Sequence, residues 1–188
     1  MSCFCTGNRK HLLTPVQFAE LARPTSMHLD DDEVELFIEE CEDMYIIPTV
    51  GYDVFAAAID YVDDNTLGGQ FDDTFDPVLY LNGGAFSAIG CCDCGTGRSE
   101  WCAGLRKALA YYVYAKMGRA DGTIIARDGL MRHNDQYAQH VEPNLKQYND
   151  VMEVAEQYLA SCQRYANTHA CGVRMVRQSR ATIKAIGR

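Results

Sequence analysis

Cys91, Cys92, Cys94 and Cys102 are the residues of this chain whose type and spacing come nearest to a chemical site. Cys91-x-x-Cys94 has the spacing of a zinc-finger pair, and Cys92 or Cys102 could add a ligand. A structural zinc wants four ligands, usually as two well-spaced pairs. The second pair is missing, and the nearest histidines, His28 and His133, are remote in the chain. Free thiols in a loop are the main reading, and zinc on Cys91, Cys94 and Cys102 is the alternative. No metal and no cofactor are expected. A thioredoxin-like use of the C-x-x-C lacks its βαβ setting.

There are nine cysteines in all. An odd count in a chain whose N-terminus lacks the charged-then-apolar order of a signal peptide argues against a disulfide framework. Cys41 and Cys162 fall on apolar stripes of helical spacing, where a thiol behaves as a small hydrophobe.

Other chemistries find less. Gly95, Gly97 and their neighbours lack the Walker lysine–serine pair and the G-x-G-x-x-G order of a phosphate cradle. His11, His28, His133, His140 and His169 are scattered and read as surface residues. No Gly-x-Ser-x-Gly, Cys–His or HExxH arrangement occurs. The expectation is a protein that is not an enzyme.

The elements around these residues are helical. Trp101, Leu105, Ala108, Leu109, Tyr112 and Val113 recur at i, i+3/i+4, i+7 and predict an amphipathic helix from Trp101 to Met117, capped by Ser99 and stopped by Gly118. Leu145, Tyr148, Met152, Ala155, Leu159, Cys162 and Ala166 are spaced 3, 4, 3, 4, 3, 4, a heptad-like seam for lengthwise packing on a neighbouring helix. Pro143 starts or kinks that helix, and Gly172 closes it. Earlier, Thr14-Pro15-x-Gln17 is a capping box opening a short helix with Phe18 and Leu21 inward and Pro24 as its stop. A second helix is expected from Leu29 to Ile47, ended by Pro48. It buries Val34, Phe37, Ile38, Cys41 and Tyr45 and leaves Glu35, Glu39, Glu40, Glu42 and Asp43 outside the stripe. Gly51 then leads into a third helix, Tyr52 to Val62.

The stretch 63–98 is the least regular. Within it, Asp76, Pro77 and Gly83 read as the N-cap, first residue and stop of a short helix, although Asn82-Gly83 is also a hairpin signal. An extended piece is expected at Thr123–Ala126. The expected architecture is a mostly α small helical bundle with long loops and extended terminal arms. It divides into an N-terminal arm (1–13), a helical domain (14–170) and a basic C-terminal arm (171–188). Its core is expected to hold Trp101, Leu105, Leu109, Tyr112, Leu145, Met152 and Leu159.

The net charge of −9 hides a strong segregation. From Thr25 to Thr96 there is no Lys or Arg, and acids including Asp30, Asp31, Asp32, Glu35, Glu39 and Glu40 form an acidic face. After residue 170 there are bases and no acid. Arg174, Arg177, Arg180 and Lys184 would align on one face of a helix. Such a tail suits an acidic protein surface, nucleic acid or a membrane surface. It carries no aromatic residue for stacking on single strands. The acidic face of a neighbouring subunit is the nearest candidate. No apolar run approaches the roughly 18 residues that span a bilayer.

The order of these features resembles the head–tail connector, or adaptor, proteins of tailed bacteriophages, closest to those of Bacteroidales and crAss-like phages. The residues that carry the likeness are VELFIEECEDMYIIPTVGYDVF at 34–55, LYLNGGAF at 79–86, GLRKALAYYVYAKM at 104–117 and NLKQYNDVMEVAEQYLASC at 144–162. The likeness covers roughly residues 14–170 and leaves the cysteine-rich loop and basic tail outside. It implies a structural virion protein at the head–tail junction, assembled in the bacterial host cytoplasm. Its partners would be copies of itself in a homo-oligomeric ring, usually a dodecamer, together with the portal protein and tail or further connector proteins. Genomic DNA would pass through without sequence-specific contact. The rival readings are a nucleic-acid-binding or regulatory module acting through the basic tail, and a zinc-stabilised interaction domain.

Overall fold

A computed structural model describes residues 10–23, 30–64, 75–88, 98–120, 123–126, 129–132 and 145–169. Thr14 opens the first helix, α1 (Pro15–Leu21), with a reciprocal capping box: Gln17 N donates to Thr14 Oγ1 and Thr14 N to Gln17 Oε1. Asp30 caps α2 (Asp31–Cys41) by accepting from Asp32 N at 3.1 Å. Asp31, Asp32 and Glu33 occupy its first turn, where the positive end of the helix dipole favours them.

Pro48 does not end this helix. One turn of π-helix, Glu42–Ile46, intervenes, with Ile47 N–H bonded back to Glu42 O. The chain then winds on as α3 (Ile47–Val50) and stops at Gly51. A proline in a regular helix removes a hydrogen bond and crowds the carbonyl one turn back. The wider π turn just ahead of Pro48 relieves both, so the helix absorbs the proline. After Gly51 comes α4 (Tyr52–Asp64).

Asp76 Oδ1 caps α5 (Pro77–Asn82) by accepting from Val78 N at 2.9 Å and Leu79 N at 3.2 Å, and Gly83 ends it. Of the two readings of this segment, the helix is the one formed. The chain continues into an antiparallel pair, β1 (Gly84–Ala88) and β2 (Arg98–Cys102), in which Ala85 faces Trp101 and Phe86 faces Glu100. Next are α6 (Leu105–Ala120), a second antiparallel pair of β3 (Thr123–Ala126) and β4 (Gly129–Arg132), and α7 (Leu145–His169). The extended piece expected at Thr123–Ala126 is β3. The fold is mostly α.

Both ends of α6, its cap and the burial of Trp101 differ from expectation. Trp101 is not its first turn but part of β2, and it is 65% exposed rather than in the core; Ser99 lies on the same strand and caps nothing. The helix starts only after Gly104, whose φ of 92° breaks the run from Trp101 to Leu105. Gly118 does not stop the helix, which runs on to Ala120. A Cβ built on Gly118 would meet nothing within 4 Å, so no close approach demands glycine there, and glycine costs a helix only about 1 kcal/mol.

The core forms where α6 and α7 pack along their lengths and α2 crosses α6. Leu105, Ala108, Leu109, Tyr112 and Val113 of α6 are buried, with Val151, Met152, Ala155, Leu159, Cys162, Tyr165 and Ala166 of α7 and Val34, Ile38 and Cys41 of α2. Leu105, Leu109, Tyr112, Met152 and Leu159 thus lie in the core as expected, while the side chain of Leu145 falls outside the described residues. Leu12 and Leu13 are each 1% exposed, so this end of the expected N-terminal arm is packed into the domain, while Lys10 is exposed. Among the described residues, no helix is long and apolar enough to cross a membrane.

Candidate functional site

The acidic face is real as a surface. Asp30, Asp31, Asp32, Glu35 and Glu40 are exposed and Glu39 is partly so, along one side of α2. Buried Val34, Ile38 and Cys41 on the opposite side fix the orientation of that face. Lys116 reaches it from α6: its Nζ stands 2.7 Å from Glu40 Oε1 and 3.5 Å from Met44 Sδ, and lies 5.9 Å from the centre of the Tyr45 ring. Tyr45 in turn stacks on Tyr112 with ring centroids 4.4 Å apart. Among the described residues, Val16 on α1, Leu36 on α2 itself, Met44 in the π turn and Tyr52 at the start of α4 are exposed apolar side chains.

Glu42 is another residue that the sequence reading misplaced. It is fully buried, not solvated. Its Oε1 accepts from Leu12 N at 2.8 Å and its Oε2 lies 2.9 Å from His11 Nδ1. His11 is correspondingly held against the domain rather than loose on the surface, with 19% of its side chain exposed. Arg106 completes the fastening from α6: Nε donates to Leu12 O at 2.9 Å and Nη1 to Asn82 Oδ1 at 3.0 Å. Both backbone polar groups of Leu12 are thereby satisfied by side chains, which a buried segment outside helix or sheet requires. Glu42 follows Ile38 by four residues and Val34 by eight, so helical spacing alone puts it beside the buried stripe; only its charge suggested otherwise.

A second polar cluster joins β2 to α7. Ala103 N donates to Ser161 Oγ at 2.9 Å, and Ser161 Oγ donates to Tyr158 O at 2.6 Å. Beside it, the Sγ atoms of Cys102 and Cys162 lie 3.8 Å apart, both fully buried. The Tyr165 hydroxyl accepts from Asp76 N at 2.7 Å and donates to Asp76 O at 3.2 Å, tying α7 to the entry of α5. Phe75, Tyr80, Phe86 and Tyr165 pack as an aromatic cluster with centroids between 5.1 and 6.2 Å apart.

Of the possible zinc trio, Cys102 is buried against Cys162, while Cys91 and Cys94 lie outside the described residues. Among the described residues, no three His, Cys, Asp or Glu side chains group as metal ligands. Arg174, Arg177, Arg180 and Lys184 also lie outside the described residues.

The arrangement is that of a small mostly α domain whose polar groups fasten its own segments together and whose α2 displays carboxylates. By sequence the chain belongs to the family of unknown function DUF6712, whose model matches residues 46–170. The match begins at the end of the π turn, so α3 to α7 fall within it, while α1, α2 and the His11–Glu42 contact precede it. No curated protein and no solved structure matches the chain.

Proposed function

We propose that this protein is a structural component of a tailed-phage virion, one subunit of a ring between portal and tail through which DNA passes. The observation that carries the reading is the carboxylate face of α2, exposed along its length, in a chain with no Lys or Arg from Thr25 to Thr96 and no acid after residue 170. A head-to-tail ring repeats one heterologous contact, so complementary patches on a single subunit can drive closure. An acidic wall also suits a DNA conduit, because it repels phosphates and adds no sticky cations. The order of motifs shared with connector proteins points the same way. Leu36, exposed on α2 among the acids, and exposed Met44, which shares Lys116 with Glu40, give such a contact an apolar component.

In this reading the basic segment with Arg174, Arg177, Arg180 and Lys184 is the assembly arm, meeting α2 of a neighbour or an acidic portal surface. The experiment is native mass spectrometry and electron microscopy of the full chain and of a chain lacking 172–188, each with and without its portal protein. Rings or portal-bound rings from the full chain, weakened by salt and lost on truncation, are expected. A full chain that stays monomeric with portal at every salt concentration sinks the connector reading. Loss of DNA affinity on truncation, with assembly unchanged, moves the tail to the nucleic-acid role.

A further inference from the structure

Cys102 and Cys162 come from segments 60 residues apart in the chain, yet their sulfurs lie 3.8 Å apart. Each sits on an element fixed by other contacts. Ala103 N is bonded to Ser161 Oγ immediately alongside, so the two backbones are already docked. Cys102 stands just ahead of α6, and Gly104 at that helix start favours its thiolate. A helix N-terminus and a neighbouring donor both stabilise a thiolate. The Tyr80 hydroxyl, 1% exposed and within electrostatic reach of both thiols, has no hydrogen-bond partner among the described residues. The buried site therefore holds two thiols and an unused hydroxyl beside the Ala103–Ser161 bond.

We propose that Cys102 and Cys162 are an oxidisable pair that closes into a disulfide when the protein meets a peroxide. The Cys102 thiolate attacks one peroxide oxygen and breaks the O–O bond, giving a Cys102 sulfenic acid and releasing the other oxygen as hydroxide. The Cys162 thiol then attacks the sulfenic sulfur; its proton leaves with the sulfenic oxygen as water. Two thiols lose two electrons, and one hydrogen peroxide is reduced to two waters.

The two sulfurs divide these roles by environment. Cys102 is made more acidic chiefly by its hydrogen bond with Cys162, with the Gly104 backbone adding to this against the cost of burial. Cys162 is pushed well above its ordinary value by the neighbouring Cys102 sulfur and by burial, so it remains the protonated resolving thiol. A water-sized oxidant is the reactant that suits fully buried sulfurs, reached by local opening of the kind all folded domains undergo. The bond would clamp β2 to α7. Nothing in this proposal depends on the connector reading.

The test is peptide mapping of the full-length protein, reduced, desalted, treated with hydrogen peroxide and then alkylated in denaturant. The expected result is a linked peptide pair containing Cys102 and Cys162, two hydrogens lighter than the free peptides. The melting temperature should rise by about 10 °C, the scale for closing a loop of this length in a domain of this size. Cys162→Ala should show no linked pair, no such rise, and over-oxidation of Cys102. The wild-type map decides the matter even if that variant does not fold. Recovery of both thiols free, or Cys102 linked to a different cysteine, overturns the proposal.

Discussion

Gly83 and Gly104 are packed back to back. A Cβ on Gly104 would stand 2.6 Å from the backbone N of Gly83, and one on Gly83 would stand 2.5 Å from the carbonyl oxygen of Ala103. Both have positive φ, 89° and 92°. This contact seats the end of α5 against the start of α6 and sets the register in which Gly84 faces Cys102. Replacing either residue by alanine combines backbone strain with a backbone clash that no rotamer change relieves. Gly83→Ala and Gly104→Ala should each lower stability by roughly 2–4 kcal/mol, read from urea midpoints. A midpoint unchanged in both variants would contradict the packing described.

Leu109 and Trp101 make a contrasting pair. Leu109 is fully buried, so Leu109→Asp strands a charge in the core at a cost of several kcal/mol and should leave no cooperative melt. Trp101→Ser should shift stability by less than about 1 kcal/mol, the range for exposed positions. Fluorescence offers an independent check, since Trp101 is the chain's one tryptophan. Its emission should be strongly quenched by iodide in the folded monomer and shielded if β2 lies in an assembled interface.

Removing the Glu42 carboxylate leaves Leu12 N–H and the His11 ring without that acceptor. Glu42→Leu should lose about 1–3 kcal/mol, the penalty of a buried donor left unmade, and Glu42→Gln less, because one amide oxygen remains. Hydrogen exchange at the Leu12 amide should quicken in both variants. An unaltered Leu12 amide would show that the fastening lies elsewhere.

Alkaline pH should loosen the domain around Cys41. Burial, with smaller contributions from Glu40 and Glu42 and against the opposing pull of Lys116, pushes its thiol from 9.0 up to about 12. Tyr45 is likewise raised from 10.0 to about 12, chiefly by burial. The unfolded chain therefore releases these protons at lower pH than the folded one. Their contribution is fully present below pH 9 and declines as pH climbs towards 12. Urea midpoints measured across that interval should fall, and Cys41→Ala should flatten the slope while lowering stability at neutral pH.

Local chemistry made some of this fold readable in advance. The Thr14–Gln17 box and the Asp76-Pro77…Gly83 frame act within a few residues of themselves, and both formed as spaced. The seam from Met152 to Ala166 was likewise legible because one helix face carries it. What escaped was decided between segments. Trp101 has helical spacing to Leu105 and Ala108, but Gly104, locked against Gly83, interrupts the run and leaves the tryptophan on a strand. Glu42 looked like one more surface acid because its acceptors' donors, His11 and Leu12, lie some 30 residues earlier. The π turn that absorbs Pro48 has no short sequence signature.

The lengthwise pairing of α6 with α7 has a consequence for synthesis. The ribosome finishes α6 long before α7, its principal cover, and the chain between them includes only the short β3–β4 pair among its described residues. Until α7 emerges, the side of α6 that carries Tyr111 lacks Tyr158, its partner across the helix pair. Docking must then wait for contacts of high sequence separation, Ala103 with Ser161 and Asp76 with Tyr165 among them. A nascent chain halted before α7 would present an apolar surface to chaperones and to other nascent copies. Expression of the protein should therefore tolerate slow translation poorly before residue 151 and well after residue 166.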